Sequence, residues 1–267
     1  MRLLKDDGQG NFILVEYHDN NIPPYAILSH TWGADSEEVS FKDLTEGTGK
    51  NKAGYVKIEF CRKQAATHNL QFFWVDTCCI DKSSSVELSE AINSMFRWYQ
   101  NADKCYVCLS DVSSPGHAIN GQSIPITLKP AFSESRWFRR GWTLQELIAP
   151  ASVEFFSREG DCLGSKRSLE QVIHEVTGIA IEALRGEPLI NFKIEERFSW
   201  ASHRETKRPE DKAYSLLGIF NIHMPLLYGE GREEAVKRLR RKISKSANCK
   251  CPFLFLLVTL TRSLQLL

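Results

Sequence analysis

The alternation of short buried strands with amphipathic helices constrains this sequence more than any other feature. Apolar runs at 25–29, 72–76 and 104–109 are bounded by turn-forming residues, a pattern that is typical of buried strands. Between them, apolar residues recur at helical spacing and predict helices over 54–67 and 86–101. Because this order favours parallel pairing, the sequence predicts an α/β fold in which a parallel sheet is flanked by helices.

The second half of the chain continues this pattern and then changes. Residues 113–130 are rich in Ser, Pro and Gly and predict a surface loop. A helix is predicted over 136–149, where Pro150 ends it, and a fourth strand is predicted over 153–156. From Ser168 onward the apolar spacing is that of helices, so the last part of the chain is expected to be mainly helical.

These patterns predict three segments. An α/β domain is expected over 1–157, a helical extension packed on it over 158–246, and an apolar tail of unclear role over 247–267. The tail holds about ten apolar residues in its central run, whereas a helix that crosses a bilayer needs about twenty. We therefore expect no membrane span. The tail is expected to form a last strand or helix docked on the core, or the beginning of an interrupted longer segment.

Charge and cysteine content narrow the class of protein. The chain has 34 Lys and Arg against 33 Asp and Glu, a balance that argues against a nucleic-acid partner. No signal peptide is recognised, and most of the eight cysteines fall inside apolar patterns. Buried free thiols in a reducing compartment explain them better than a disulfide framework does, so a cytoplasmic location is expected.

Polar residues follow the predicted strands at the edge where parallel sheets bind ligands. Ser29, His30 and Trp32 end the first strand, and Asp76 and Asp81 follow the second. His30 could act as a general base or could be a structural hydrogen-bond partner. The spacing of the two aspartates is not that of a recognised metal site, and glycine-rich phosphate loops are absent, so no metal or cofactor is expected.

The segment 137–147 carries the most informative set of side chains. At helical spacing Arg139, Trp142 and Glu146 share one face, which offers a cation, a flat apolar surface and a carboxylate. That set suits a ligand with a planar ring, phosphates and ribose hydroxyls. The alternative is an Arg139–Glu146 ion pair that covers a half-buried tryptophan and binds nothing.

Three blocks of the sequence resemble a known family. Residues 25–33 (YAILSHTWG), 74–81 (WVDTCCID) and 140–146 (RGWTLQE) are similar, in order and spacing, to the signature blocks of the fungal heterokaryon incompatibility (HET) domain. Blocks at 197–201, 208–220 and 224–231 resemble the helical stretch that usually follows it. The resemblance implies a role in non-self recognition and programmed cell death in filamentous fungi.

A more remote resemblance links the same blocks to Toll/interleukin-1 receptor (TIR) domains, and hence to a TIR- or flavodoxin-like sheet. Residues 142–147 are similar to the helix whose glutamate serves NAD cleavage in enzymatic TIR domains. This resemblance implies that Glu146 is catalytic and that NAD is the substrate. The implied substrate-binding residues are Ser29, His30, Trp32, Asp76, Asp81, Arg139, Arg140 and Trp142.

Two other functions fit the same residues. The domain could be a non-catalytic death-signalling adaptor that self-associates or binds another incompatibility protein. The motif residues could also form a buried, mutually hydrogen-bonded network with no ligand. A polar pocket with Glu146 facing inward favours cleavage of NAD, whereas an Arg139–Glu146 pair on an open surface favours the adaptor.

Overall fold

The structure is a computed structural model that describes residues 1–18, 21–114 and 124–249, with side chains described up to 246. Half of the predicted loop at 113–130 and nearly all of the predicted apolar tail at 247–267 lie outside the described residues. Among the helices of the described ranges, none combines the length and the apolar character that crossing a membrane requires.

A seven-stranded sheet in the order β2-β1-β4-β3-β5-β6-β7 forms the centre of the molecule and confirms the α/β fold. The strands are β1 (Arg2–Asp6), β2 (Phe12–Glu16), β3 (Tyr25–His30), β4 (Phe72–Trp74), β5 (Lys104–Cys108), β6 (Val153–Phe156) and β7 (Cys162–Ser165). The four central strands, which are those that the sequence predicts, pair in parallel. The strands β1, β2 and β7 add antiparallel edges.

The order of the parallel strands determines where a ligand can bind. Along the chain β3, β4, β5 and β6 are the first to fourth parallel strands, so their order in the sheet is 2-1-3-4, as in flavodoxin-like folds. In such a sheet the strand order reverses direction beside the first strand, and a crevice opens there at the carboxyl ends of the strands. All six residues of β3 are buried, so both faces of the sheet are covered at this point.

The helices that connect the central strands form where the apolar spacing predicts them. The predicted helices at 54–67 and 86–101 are found as α2 and α3, and Ser84 caps the second by accepting a hydrogen bond from the Glu87 amide at 3.3 Å. The helices are α1 (Phe41–Thr45), α2 (Tyr55–Thr67), α3 (Ser85–Gln100), α4 (Lys129–Glu134), α5 (Thr143–Ile148), α6 (Glu170–Thr177), α7 (Ile181–Leu184), α8 (Ile194–Ser199), α9 (Asp211–Tyr214) and α10 (Gly231–Cys249).

The prediction of one continuous helix over 136–149 is wrong. A 3₁₀ helix spans Arg136–Arg139, the backbone of Arg140 is extended with φ −82° and ψ 136°, and α5 begins only at Thr143. The two helical pieces therefore do not share a face. Arg139 lies on the first piece and Glu146 on the second, so the predicted polar face does not exist.

The extension causes this break by pairing with the backbone at the corner. The Gly141 amide donates to the Glu205 carbonyl oxygen at 2.8 Å, and the Glu205 amide donates to the Arg139 carbonyl oxygen at 2.5 Å. The approach is so close that a Cβ on Gly141 would lie 2.5 Å from Cγ2 of Thr206. The buried Arg204 adds hydrogen bonds to the same corner.

Two further predictions need correction. The block at 208–220, which is expected to be helical, is α9 followed by a separate 3₁₀ helix at Gly218–Phe220. Gly218 lies against Phe96, and a Cβ at this position would overlap the phenylalanine side chain. The segment 158–246 is also not wholly helical, because β7 lies within it and completes the sheet.

Candidate functional site

A cavity of about 170 Å³ lies at the carboxyl ends of β3 and β4. Its lining comes from four parts of the chain: the two strand ends, one side of α3, the segment that contains α5, and the extension. The polar and aromatic lining residues are His30, Trp32, Asp76, Lys82, Tyr99, Arg140, Trp142, Thr143, Glu146, Lys207, Arg208, Asp211 and Tyr228.

The floor of the cavity is a hydrogen-bonded chain of Trp137, Ser29 and Glu146. The indole Nε1 of Trp137 donates to Ser29 Oγ at 2.8 Å, and Ser29 Oγ donates to Glu146 Oε2 at 2.5 Å. Glu146 is only 7% exposed, and this burial raises its pKa to about 8, although the Ser29 hydrogen bond acts in the opposite direction. The floor thus presents a carboxyl group that changes charge close to neutral pH.

Hydrogen bonds at both ends of α5 hold this helix in place, and Glu146 lies on it. At the first turn, Thr143 Oγ1 donates to the carbonyl oxygens of Trp137 and Arg140. At the last turn, Lys166 Nζ donates to the Leu147 carbonyl oxygen at 3.2 Å, where a cation also complements the helix dipole. Burial lowers the pKa of this lysine to about 8. These contacts fix the short helix α5 and, with it, the position of the Glu146 side chain.

His30 enters the cavity with its ring unsatisfied. Neither Nδ1 nor Nε2 has a hydrogen-bond partner in the described part of the chain, and the side chain is 1% exposed. Nε2 lies 3.8 Å from Asp76 Oδ1 and 3.9 Å from Glu38 Oε2. Burial, reinforced by Lys57, lowers the pKa of His30 to about 3, so the ring is neutral and can donate or accept one hydrogen bond from a ligand.

One aromatic side of the cavity is Trp32. Its indole Nε1 donates to Asp76 Oδ2 at 2.9 Å, and the exposed Lys82 ammonium lies 3.8 Å from the ring centroid. The carboxylate fixes the ring from one edge, and the ammonium covers it by a cation–π contact. Trp32 is therefore held in position before any ligand arrives.

The opposite side is built by the extension and is called here the outer wall: Lys207, Arg208, Asp211 and Tyr228. Asp211 accepts hydrogen bonds from the Trp142 indole at 3.2 Å and the Tyr228 hydroxyl at 3.0 Å. The Arg208 guanidinium lies 4.2 Å from the Tyr228 ring centroid. The two sides therefore share one arrangement. On each side a carboxylate accepts a hydrogen bond from an aromatic side chain, and a cation lies over the ring of that side chain.

Three cations of the lining are available to an anion. Lys82, Arg140 and Arg208 form no ion pair within the residues described, whereas Lys207 pairs with Asp35. Cations left unpaired around a cavity favour the binding of phosphate or carboxylate groups.

The structure brings most of the predicted site residues together. His30, Trp32, Asp76, Arg140, Trp142 and Glu146 all line the cavity. Ser29 is fully buried and reaches it through Glu146.

Two predicted residues lie elsewhere. Arg139 is exposed, does not line the cavity and forms no ion pair with Glu146 in the described chain, so the Arg139–Glu146 alternative is also wrong. Asp81 does not line the cavity either, and its Oδ1 accepts hydrogen bonds from Ser83.

The sequence interpretation missed Lys82 and the four residues of the outer wall. Arg208 and Asp211 belong to the block RPEDKAYSLLGIF that resembles the stretch after a HET domain, and Tyr228 lies in the next such block. That resemblance was the available signal. It did not indicate that these residues fold back over the cavity.

Thiol and metal chemistry find no support at this site. Cys78 and Cys79 are buried free thiols, and burial raises the pKa of Cys78 well above its usual value. In the three described ranges, His, Cys, Asp and Glu side chains form no group of three or more that could hold a metal ion.

Comparisons with known proteins bear on the same residues. Residues 25–125 match the model of the family described as heterokaryon incompatibility protein (HET). The chain is 57% identical over 250 residues to vegetative incompatibility protein HET-E-1 of Podospora anserina, an alignment that covers 93% of this chain and 18% of that protein. The chain thus spans about a fifth of the length of this relative. No solved structure matches significantly.

Proposed function

The chain belongs to the heterokaryon incompatibility (HET) domain family, and we propose that its cavity cleaves NAD at the nicotinamide–ribose bond as the effector step of non-self recognition. The observation that carries this proposal is the buried Glu146 carboxyl at the floor of an aromatic cavity whose lining includes unpaired cations. Loss of the dinucleotide would then be the cause of cell death.

The charges and the size of the cavity suit one half of the dinucleotide. Aromatic rings and carboxylates surround a space that can accept a flat pyridinium ring and its ribose. Lys82, Arg140 and Arg208 supply positive charge for the pyrophosphate. A cavity of about 170 Å³ is smaller than the ~300–1,000 Å³ of pockets that enclose a whole drug-sized ligand. The adenosine half would therefore remain outside.

The main contribution of the protein to this reaction is to stabilise the charge that develops on the ribose. The bond between the ribose C1′ and the ring nitrogen breaks, and both electrons leave with neutral nicotinamide. Water adds to the resulting oxocarbenium centre and releases a proton, which gives ADP-ribose. The Glu146 carboxylate stabilises the positive charge that develops at C1′ and accepts hydrogen bonds from the ribose hydroxyls.

The protonation state of Glu146 links binding to chemistry. With a pKa of about 8, the group is mostly protonated at pH 7 in the empty cavity. A pyridinium cation close to it favours the carboxylate, so binding of the oxidised dinucleotide would release a proton. The substrate itself would thereby convert Glu146 into its active form.

The remote TIR resemblance supports the same reaction. The parallel strands have the 2-1-3-4 order of flavodoxin-like sheets, and Glu146 lies on a helix beside the carboxyl end of the first of these strands. Fold analogy alone does not establish an activity, so the support rests on the position of the carboxyl group.

NAD consumption by the purified full chain tests the proposal. Wild type should release nicotinamide and ADP-ribose, and Glu146→Gln should not. Glu182→Gln, which removes an exposed carboxylate, serves as the matched control and should behave as wild type. A folded protein that releases no nicotinamide, even when it is fused to a dimerising module, would instead support the adaptor function, in which the domain self-associates or binds another incompatibility protein.

A further inference from the structure

Asp211 is a buried carboxylate that forms no ion pair with any of the residues that the structure describes. It is 7% exposed and lines the cavity, and its two hydrogen bonds come from the neutral groups of Trp142 and Tyr228. Arg208 is close in sequence, but its guanidinium lies over the Tyr228 ring and forms no ion pair with Asp211. A buried carboxylate is costly unless a positive charge compensates it, so this position favours a cation inside the cavity.

The groups around Asp211 indicate the shape of that cation. Asp211 fixes Trp142 and Tyr228, and on the other side Asp76 fixes Trp32 in the same manner. Aromatic faces bind cations through their quadrupole, and a carboxylate behind the ring strengthens the attraction. Lys82 and Arg208 already lie over Trp32 and Tyr228, whereas no cation of the described residues lies over Trp142. A flat ring beside a carboxylate suits a flat, delocalised cation better than a compact ammonium ion, which needs several hydrogen-bond acceptors.

We infer that Asp211 is a specificity-determining residue, through which the cavity selects the positively charged nicotinamide ring of the oxidised dinucleotide over the neutral ring of the reduced form. The identity of the ligand rests on the proposed function. The selection itself concerns binding and does not require turnover. Because Asp211 and Tyr228 lie beyond residues 25–125, the extension completes the ligand site of the HET domain.

Comparing the binding of the oxidised and the reduced dinucleotide tests this inference directly. They share the adenosine, both riboses and the pyrophosphate, so every contact with Lys82, Arg140 and Arg208 is common to both. They differ in the charge and planarity of one ring. A preference for the oxidised form therefore reports on the groups around that ring.

The experiment measures dissociation constants for NAD⁺ and NADH by calorimetry, with the full chain in the Glu146→Gln background, which blocks turnover. That background should bind NAD⁺ about tenfold or more tightly than NADH, as expected for a partly desolvated charge pair. Adding Asp211→Asn should remove most of the preference by weakening NAD⁺ binding while leaving NADH binding within about twofold. Adding Asp81→Asn makes the same change of charge outside the cavity and should leave the preference intact.

The variant Tyr228→Phe separates the charge of Asp211 from the hydrogen bonding and packing around it. It removes one hydrogen bond to Asp211 but keeps the carboxylate and the ring, so the preference should persist. Thermal unfolding of each variant shows whether the outer wall is intact. If folded Asp211→Asn still prefers NAD⁺ as the parent does, the inference is wrong even where wild type cleaves NAD. If the preference depends on Asp211 but wild type cleaves nothing, the inference stands and the proposed reaction fails.

Discussion

The floor and the outer wall of the cavity come from different parts of the chain and are stabilised differently. The floor joins the end of β3 to α5, and its side chains Ser29, Trp137 and Glu146 are buried in the core. The outer wall consists of short elements tied by hydrogen bonds, such as those from the Gly229 and Gly231 amides to Glu210. In the proposed function, the floor carries the reacting carboxyl group and the outer wall selects the ligand.

Variants of Glu146, in the floor, and of Trp142, which Asp211 of the outer wall holds by a hydrogen bond, should separate these roles. Glu146→Gln should lower kcat for NAD about 10²–10³-fold, because the charge stabilisation is lost, and should not lower the free energy of unfolding, because glutamine mimics the protonated form that burial favours. Trp142→Ala should mainly raise KM, because its ring forms a side of the binding space. Steady-state kinetics together with chemical denaturation measure both. A large loss of kcat for Trp142→Ala with unchanged KM would show that the division between floor and wall is wrong.

The joint between the two regions is the corner at Gly141. Gly141→Ala places a Cβ 2.5 Å from Thr206 Cγ2 and 3.3 Å from Ser215 Oγ, so the extension must move away. We expect a loss of about 1–3 kcal/mol in the free energy of unfolding. Gly178→Ala, at a left-handed position with no atom within 4 Å of the added Cβ, is the control for backbone strain alone. No loss of stability for Gly141→Ala would argue against a tight joint.

The arginines Arg139 and Arg140, which come directly before that corner, offer a matched pair, because only Arg140 lines the cavity. Arg140→Gln should raise KM for NAD about tenfold, because a charge-assisted contact with phosphate is lost. Arg139→Gln should leave KM unchanged, since this exposed side chain does not line the cavity. Kinetics of both variants at constant ionic strength test the placement, which would be contradicted by equal effects.

Two groups of the cavity should affect stability in opposite directions as the pH changes. The pKa of His30 is lowered from 6.5 to about 3, so the unfolded chain binds the extra proton and stability rises from pH 3 to 6.5. The pKa of Glu146 is raised from 4.5 to about 8, so the folded chain keeps the proton and stability falls from pH 4.5 to 8. Of these two effects, only that of Glu146 remains between pH 6.5 and 8.

The effect of Glu146 on stability is therefore tested by denaturing wild type and Glu146→Gln at pH 6.5 and at pH 8. Wild type should be less stable at the higher pH, and Glu146→Gln should show little of this decrease. If both proteins lose the same stability, the cause is another group and the raised pKa of Glu146 is not supported.

The sequence predicts the parts of this structure that depend on local spacing. The helices α2 and α3 and the four central strands follow from periodicity and turn residues, and the same blocks identify Glu146, Trp142 and His30. The break at Arg140 could not be predicted, because it depends on pairing with Glu205, which is distant in sequence. A local pattern of apolar residues at 136–149 favours one helix, and a tertiary contact overrides it.

The outer wall was missed for a related reason. Asp211 looks like an ordinary exposed residue of a polar helix start, and only the fold places it beside Trp142. The edge strands β1, β2 and β7 were also missed. They are short and only partly buried, so their alternation is weak. Sequence reasoning therefore located the proposed reacting group better than the surface that encloses it.

The dependence of kcat/KM on pH tests the central claim most directly, since this parameter reports ionisation of the free enzyme. Glu146 must lose its proton to act, and the charged groups near it are Asp76, Arg140 and Arg204. We predict that kcat/KM for NAD cleavage rises about tenfold per pH unit below pH 8 and levels off above it. Ser29→Ala should move the midpoint upward, because the hydrogen bond that favours the carboxylate is removed. A profile that is flat from pH 5.5 to 9, or a midpoint that Ser29→Ala leaves unchanged, would contradict the assignment of Glu146 as the reacting group.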